Sequence, residues 1–519
     1  MHHIPSLLSV TLLACAAALP GLEQVAVGPR HLGMGGAGTA CPDDYVAQYY
    51  NPGAFGFFGL GTGQEDTPGF RADNQDLQRK GWGAGLDVTT GTRIGGDLAK
   101  YADQIANLDL SRIRAMGTTQ RADPVAVGQL LQIAESLGSL QANRDTVTVD
   151  VNAGVGVRIG HFGVGARGFS QATARLILVD KGNLGFASGS ENVVDKINTA
   201  VNGTTLPTAQ ANYTPVYFNQ AQYNQLVASL GTQSNNANAV NLAAQALDSK
   251  ASQSGLDPAN TFSTLGLLVG DGTAANPGLL SAALSPNALE RNLTTVRLSG
   301  LAVAEVPISY GYAFNEYISI GGSVKPMVGR VYVTEWKVFQ SLDDLESQLR
   351  DIQDNYAQSV NVGFDAGVLA RMPYLQVGVT GRNLNSPSFK GPTIANLKYA
   401  DQKVEATVTA GVAIIPLSTL TVAADCDLIE TGTTLPGYAT QRVSGGAEWN
   451  AFRFLALRAG LSSNLAEDDV GLMYHAGIGL NLWALRIDLA GSMSKETVEY
   501  DGDEIPREAR AALAIATDW

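Results

Sequence analysis

The sequence predicts an all-β protein, a transmembrane antiparallel β-barrel of about 14 strands. Three observations carry that prediction. From residue 296 onward the chain is a succession of segments roughly ten residues long in which apolar side chains alternate with polar or small ones. Beyond the N-terminal leader nothing approaches the roughly 18 consecutive apolar residues of a membrane helix, so a spanning chain must cross as a closed barrel. Charged residues make up only 16% of the chain and glycines number 58, which suits a large β protein with tight turns.

The N-terminus, "MHHIPSLLSVTLLACAAALPG", has an apolar core from Leu7 to Ala14 and an Ala16-x-Ala18 end, the form of a cleaved signal peptide over residues 1–18. Its n-region has His2 and His3 in place of Lys or Arg, and "LLAC" offers lipidation at Cys15 as the alternative. The next segment, 19–80, contains "HLGMGGAG", where Gly33, Gly35 and Gly38 match a dinucleotide-binding spacing. A buried strand should feed that motif and a helix should open at its end, yet Pro42 stands where the helix would run. The glycines therefore need another explanation.

The barrel is expected over 81–519, with strands near 81–91, 146–159, 162–180, 296–314, 316–336, 358–371, 373–384, 403–415, 418–430, 440–450, 453–463, 471–482, 484–499 and 506–519. In "WALRIDLAGSM", Leu485, Ile487, Leu489 and Met493 share one face and Arg486 and Asp488 the other. A soluble β-sandwich would also alternate, but its strands are usually about five or six residues long. A charge on the lipid face costs roughly 2–4 kcal/mol at the midplane, so the charged face is the lumen. That places Glu305, Lys325, Asp365, Arg371, Arg382, Glu405, Asp425, Asp427, Arg442, Glu448, Arg458, Arg486, Asp488 and Arg510 inside, as cross-strand ion pairs or as ligand-binding groups.

Two insertions break the strand series, 97–145 and 185–295, with helical spacing in "YADQIANLDL", "YNQLVASLG" and "AVNLAAQALDSKA". Long loops of an outer-membrane barrel lie outside the cell, which makes both extracellular. The chain ends "AALAIATDW", and Trp519 on an amphipathic last strand is the expected sorting signal for the barrel assembly machinery.

The signatures of metalloproteases, thiol-redox proteins, serine hydrolases and P-loop enzymes are absent, so no catalytic residue, cofactor or metal site is expected. A net charge of −14 argues against direct nucleic-acid binding. "AEDDVG" and "YDGDEIP" lack the ligand spacing of a dedicated calcium loop. Cys41 and Cys426 pair only if the fold brings them together.

With those elements in place, "GPRHLGMGGAGTACPDDYVAQYYNPGAF" resembles the N-terminal signature of FadL-type outer-membrane transporters. "AEVPISYGYAFNEYISIGGSVKPMVGRVY", "VGVTGRNLNSPSF", "AADCDLIE" and "FRFLALRAGLSSN" resemble, in the same order, landmarks of the TraF-like outer-membrane family of conjugal-transfer proteins. The FadL resemblance implies a small N-terminal plug inside the barrel, carried here by Gly33, Gly35, Gly36, Asn51 and Pro52. It also implies passage of a small hydrophobic or amphipathic molecule; for its acidic head group the inward-facing charges offer Arg371, Arg442, Arg458 and Arg486, with Asp425 and Asp427 as further lumen candidates. The alternative is a structural component of a conjugal-transfer or secretion assembly. Outer-membrane lipid is the expected surrounding in either case.

Overall fold

The computed structural model describes residues 25–42, 44–58, 81–106, 108–112, 145–179, 208–231, 236–254, 292–339, 355–394, 396–417, 419–433, 437–451, 454–482 and 485–518, with isolated positions at 129, 133, 136, 140, 258 and 435. The leader with Cys15, and Trp519, lie outside them.

Fourteen strands close into one ring. In chain order they are β1 (Trp82–Gly95), β2 (Thr146–Ile159), β3 (Phe162–Leu178), β4 (Thr295–Glu305 continued by Ile308–Ala313), β5 (Ile318–Lys337), β6 (Tyr356–Arg371), β7 (Leu375–Arg382), β8 (Thr407–Leu417), β9 (Leu420–Asp427), β10 (Arg442–Ala451), β11 (Leu455–Asn464), β12 (Leu472–Leu482), β13 (Leu485–Ser494) and β14 (Glu508–Asp518). Each pairs antiparallel with its neighbours in sequence, and β14 returns to β1 with Ile515 opposite Leu86. Closure leaves no open edge. β4 is interrupted where Val306 and Pro307 face Pro326 and Lys325, a level at which two prolines remove ladder donors. Every segment expected from the alternation is found. The one expected to start at 403 begins at Thr407, because Gln402–Lys403 pairs instead with Ser388–Phe389 in a separate hairpin.

The alternation assigns the two faces. On β13, Leu485, Leu489 and Met493 are exposed on the outside while Arg486, Asp488 and Ser492 are buried inside. Val377, Val379, Val422, Leu457, Ile478 and Leu513 extend the outward apolar belt around the ring, the surface a hydrocarbon core requires. Exposed Trp82, Phe162, Tyr310, Phe314, Tyr374, Trp449 and Phe454 gather at one end, where the polar tips of the Trp and Tyr rings suit a membrane interface.

That aromatic end carries short turns such as residues 160–161, 314–317 and 372–374. The opposite end carries every long connection, including 96–145, 179–294 and 383–406. The helical spacing read in the insertions is realised as α3 (Leu98–Ala106), α4 (Gln220–Gly231) and α5 (Ala237–Ser254), numbered after two short N-terminal helices given below. Asp248 on α5 is buried and accepts hydrogen bonds from the Val216, Tyr217 and Phe218 amides and the Tyr213 hydroxyl, so one carboxylate organises the chain that enters α4.

Candidate functional site

Residues 25–58 fill the barrel as a plug made of short turns: α1 (Pro29–Gly33), α2 (Ala47–Tyr50), and 3-10 turns at Asp44–Val46 and Pro52–Gly56. Among its described residues nearly every one is buried, so the barrel wall serves as its core. The plug has no room for bulk on either side. Gly35 turns with φ +77, and a side chain there would run into the Leu461 carbonyl. The wall gives way in the same manner: Met34 and Gly35 lie on Gly446 and Gly460, Asn51 on Gly367, and Pro52 on Gly321. Of the "HLGMGGAG" glycines, Gly33, Gly35 and Gly38 are therefore close-packed, Gly36 is required by its φ of +100 with open space beside it, and no helix opens at Gly38.

Polar contacts fix the plug at several places. The Arg30 guanidinium forks onto Glu448 at 3.1 and 3.2 Å and donates to the Cys41 carbonyl at 2.8 Å. Asp425 accepts from the Gly38 and Thr39 amides at 2.9 and 2.8 Å. Tyr45 donates to Asp87 on β1 at 3.1 Å. Asn51 caps the Pro52 turn by accepting from the Gly53 amide, and donates to the Thr39 and Val368 carbonyls at 3.0 and 2.9 Å. Ser319 adds a bond to the Gly53 carbonyl at 2.6 Å. Asn51 and Pro52 thus lie in one turn of the plug, set near the short-turn end.

The lumen around the plug is built from ion pairs. Glu448 and Arg458 stand opposite each other on β10 and β11 at 2.5 Å, and Arg458 continues across β12 to Asp488 at 2.6 Å, itself 3.0 Å from Arg486. Arg167 pairs with Asp87, Arg510 with Asp150 and Lys325 with Asp365. Of the arginine candidates, Arg458 and Arg486 are members of this wall network. Arg371 lies at the short-turn end, 3.9 Å over the Phe57 ring, with its Nε on the Glu316 carbonyl at 3.0 Å. Asp425 holds the plug. Arg442 and Asp427 border open space, Asp427 accepting from the Thr409 hydroxyl and the Arg442 amide at 2.7 and 3.0 Å. Glu405 is a correction: it is exposed ahead of β8 and accepts from the Gly432 amide at 2.7 Å, because the chain from 383 to 406 leaves the barrel ladder before β8 begins. Cys41 is buried, Cys426 is half-buried, and no disulfide joins the two. The alternation of β9 keeps Asp425 and the plug inside and Cys426 on the opposite face, so the wall separates the two thiols.

Above the plug, toward the long-loop end, is a chamber of about 120 Å³. Its floor includes Leu32, Gly35, Gly36 and Tyr50, and its walls carry Arg382, Arg442 and Asp427 with the hydroxyls of Thr409, Ser444 and Ser462. Tyr438, from the β9–β10 connection, reaches Arg93 on β1 with the guanidinium 4.3 Å from its ring, and donates to Asp469 at 3.0 Å. That contact spans the mouth. At the rim Lys100 on α3 meets Glu499 at 2.7 Å, and this hydrogen bond raises the lysine pKa.

Arg30, Tyr45 and Tyr438 were not singled out by the sequence. Arg30 had a signal, a lone cation in a glycine-rich apolar stretch, but its partner is 418 residues away. Among the described residues no group of three or more His, Cys, Asp or Glu is placed to hold a metal.

The family described as "F plasmid transfer operon, TraF, protein" matches residues 97–427. No curated protein sequence matches. Among solved structures, the chain is similar to the toluene transporter TbuX of Ralstonia pickettii (13% identity, TM-score 0.42, covering 95% of this chain and 98% of that one). It is similar as well to the toluene transporter TodX of P. putida (12%, 0.44, 96% and 99%) and to a FadL homologue of Pseudomonas aeruginosa (11%, 0.43, 96% and 99%).

Proposed function

This chain belongs to the TraF family of the F plasmid transfer operon, and on that premise we propose that it is an outer-membrane barrel whose plug gates the passage of small amphipathic molecules. The observation that carries the reading is the plug itself: a closed apolar-sided barrel blocked by a segment held through a few polar latches, with a chamber directly above it. Short turns face the periplasm and long connections face outward in such barrels, so the chamber receives molecules from outside.

The chamber lining selects the class. Arg382 and Arg442 beside several hydroxyls favour a head group that is anionic and hydrogen-bonding over a bare hydrocarbon. Passage requires the Arg30–Glu448 and Asp425–Gly38 contacts to open, which shifts residues 30–42 and breaks the Asn51–Thr39 bond while the Asn51 turn stays held by Val368 and Ser319.

The test is permeation of octanoate into proteoliposomes holding the purified chain. Passage that saturates, with half-saturation raised several-fold by Arg442→Ala, supports the reading. A folded barrel that passes no more octanoate than empty liposomes contradicts it.

A second reading, an outer-membrane component of a transfer assembly, is favoured by the family match and by a lumen occupied mainly by ion pairs. Mating efficiency set beside octanoate uptake in a deletion strain separates the two.

A further inference from the structure

The alternation of the wall turns its charged side chains inward, with one exception. Among the described side chains of the fourteen strands, Arg330 on β5 is the charged one that stands on the outward face, and it is exposed there. Directly below it on that face are Val328 and, opposite on β6, Val360, which are 40% and 72% exposed. A charge is costly at the midplane of a lipid face and nearly free at the interface, so Arg330 marks a level in the membrane. Tyr317, just ahead of β5, is exposed at the short-turn rim. At roughly 3.3 Å per residue and a tilt of about 40°, Arg330 stands about 30 Å above Tyr317 along the membrane normal, beyond an apolar band about 25 Å tall. With the long connections outside the cell, that level is the head-group layer of the outer leaflet.

The guanidinium is held in place there. Its Nε donates to the Gln358 side-chain oxygen at 2.9 Å, and its carbon lies 5.0 Å from the centre of the Tyr356 ring. Tyr332, opposite Tyr356 in the β5–β6 ladder, braces that ring with centres 5.4 Å apart. The neighbour on the other side is Ala302 of β4, too short to cover an arginine. Inside the barrel the cations of the wall meet carboxylates, as Arg458 meets Glu448 and Lys325 meets Asp365. Among the described residues Arg330 meets none, and its protein contacts engage the Nε edge and the ring face. The two terminal nitrogens remain for a partner outside the protein, with the paired donors that match two oxygens of one phosphate.

We propose that Arg330, set by Gln358 and Tyr356, binds a phosphate-bearing lipid of the outer leaflet on the outward face of β5 and β6. The phosphate lies on the guanidinium and an acyl chain descends over Val328 and Val360. Bound there, the lipid holds these two strands at a fixed depth in the leaflet. The site is on the opposite face of the wall from the chamber and shares no residue with it, so it stands or falls independently of passage through the plug.

The test is native mass spectrometry of the full-length barrel released from dodecyl maltoside micelles, titrated with dioleoyl phosphatidic acid and, separately, with dioleoyl phosphatidylcholine. The wild type is expected to retain phosphatidic acid more tightly than phosphatidylcholine. Arg330→Ala is expected to weaken that retention about tenfold, the worth of one charge-assisted pair, with heat-modifiable mobility unchanged. Gln358→Ala, which frees the Nε, is expected to weaken it several-fold and is the second variant should Arg330→Ala not fold. Phosphatidic acid retained as in the wild type by the folded Arg330→Ala barrel, or by Gln358→Ala in its place, overturns the site. A wild type that holds phosphatidylcholine as tightly as phosphatidic acid also overturns it, since the apolar belt alone would then be taking up lipid.

Discussion

The Arg30 guanidinium lies across Glu448, linking the first turn of the plug to β10 through two contacts at 3.1 and 3.2 Å. Both side chains are nearly inaccessible, and Glu448 is shared with Arg458. Removing one member of a buried pair costs roughly 3–5 kcal/mol where the other charge is left uncompensated, and less here, where Arg458 remains on Glu448. Arg30→Met is expected to loosen the plug and leave the barrel, since Arg458 still neutralises Glu448. Protease protection of the N-terminal segment should fall while heat-modifiable mobility persists; loss of both together would mean that Arg30 supports the barrel and not the gate.

Asn51 serves three partners at once, two carbonyls and one amide. Asn51→Ala orphans them in a buried site, at about 1–3 kcal/mol for each group left unsatisfied. The plug turn should detach from β6 near Val368. A plug-specific fluorescence reporter should then show greater mobility, whereas Asn51→Asp, which keeps the cap to Gly53, should show an intermediate change.

The outward face is set by lipid. Leu489 is exposed midway along β13, while Leu397 is exposed in the connection between β7 and β8. Leu489→Arg is expected to destabilise the folded barrel by roughly 2–4 kcal/mol and Leu397→Arg hardly at all. Equal urea midpoints in lipid for the two variants would speak against the membrane assignment of β13.

The packing of α5 against the chain that enters α4 hangs on Asp248. Burial first, and the adjoining Asp248 carboxylate second, raise the pKa of Tyr213 above its ordinary value. A raised tyrosine pKa contributes stability that is present below about pH 10 and is lost as pH rises from there through the folded value. Hydrogen exchange in α4 and α5 should accelerate above about pH 10, and Tyr213→Phe should abolish that step.

Strand number, register faces and the helical insertions were legible because a period of two, or of three to four, is a local property. All fourteen strands could be placed that way, whereas the plug was expected only from the resemblance of "GMGG" and "NPG" to the FadL-type N-terminal signature. Which charges pair was not legible: Arg30 and Glu448, or Arg510 and Asp150, are brought together only by closure of the ring. Arg458 and Arg486 looked like ligand groups because sequence shows a cation and hides its partner. Glu405 was misplaced for a related reason, since the alternation through 403–415 continues past the point where the chain leaves the wall.

The most direct test of the gate is conductance of the purified chain in planar bilayers, wild type against Arg30→Met. The wild type should be closed or open only in brief events, and release of the latch should raise mean conductance several-fold with the barrel intact. Two equally silent proteins, each folded by heat-modifiable mobility, would contradict a plug that opens and would leave the barrel as a scaffold.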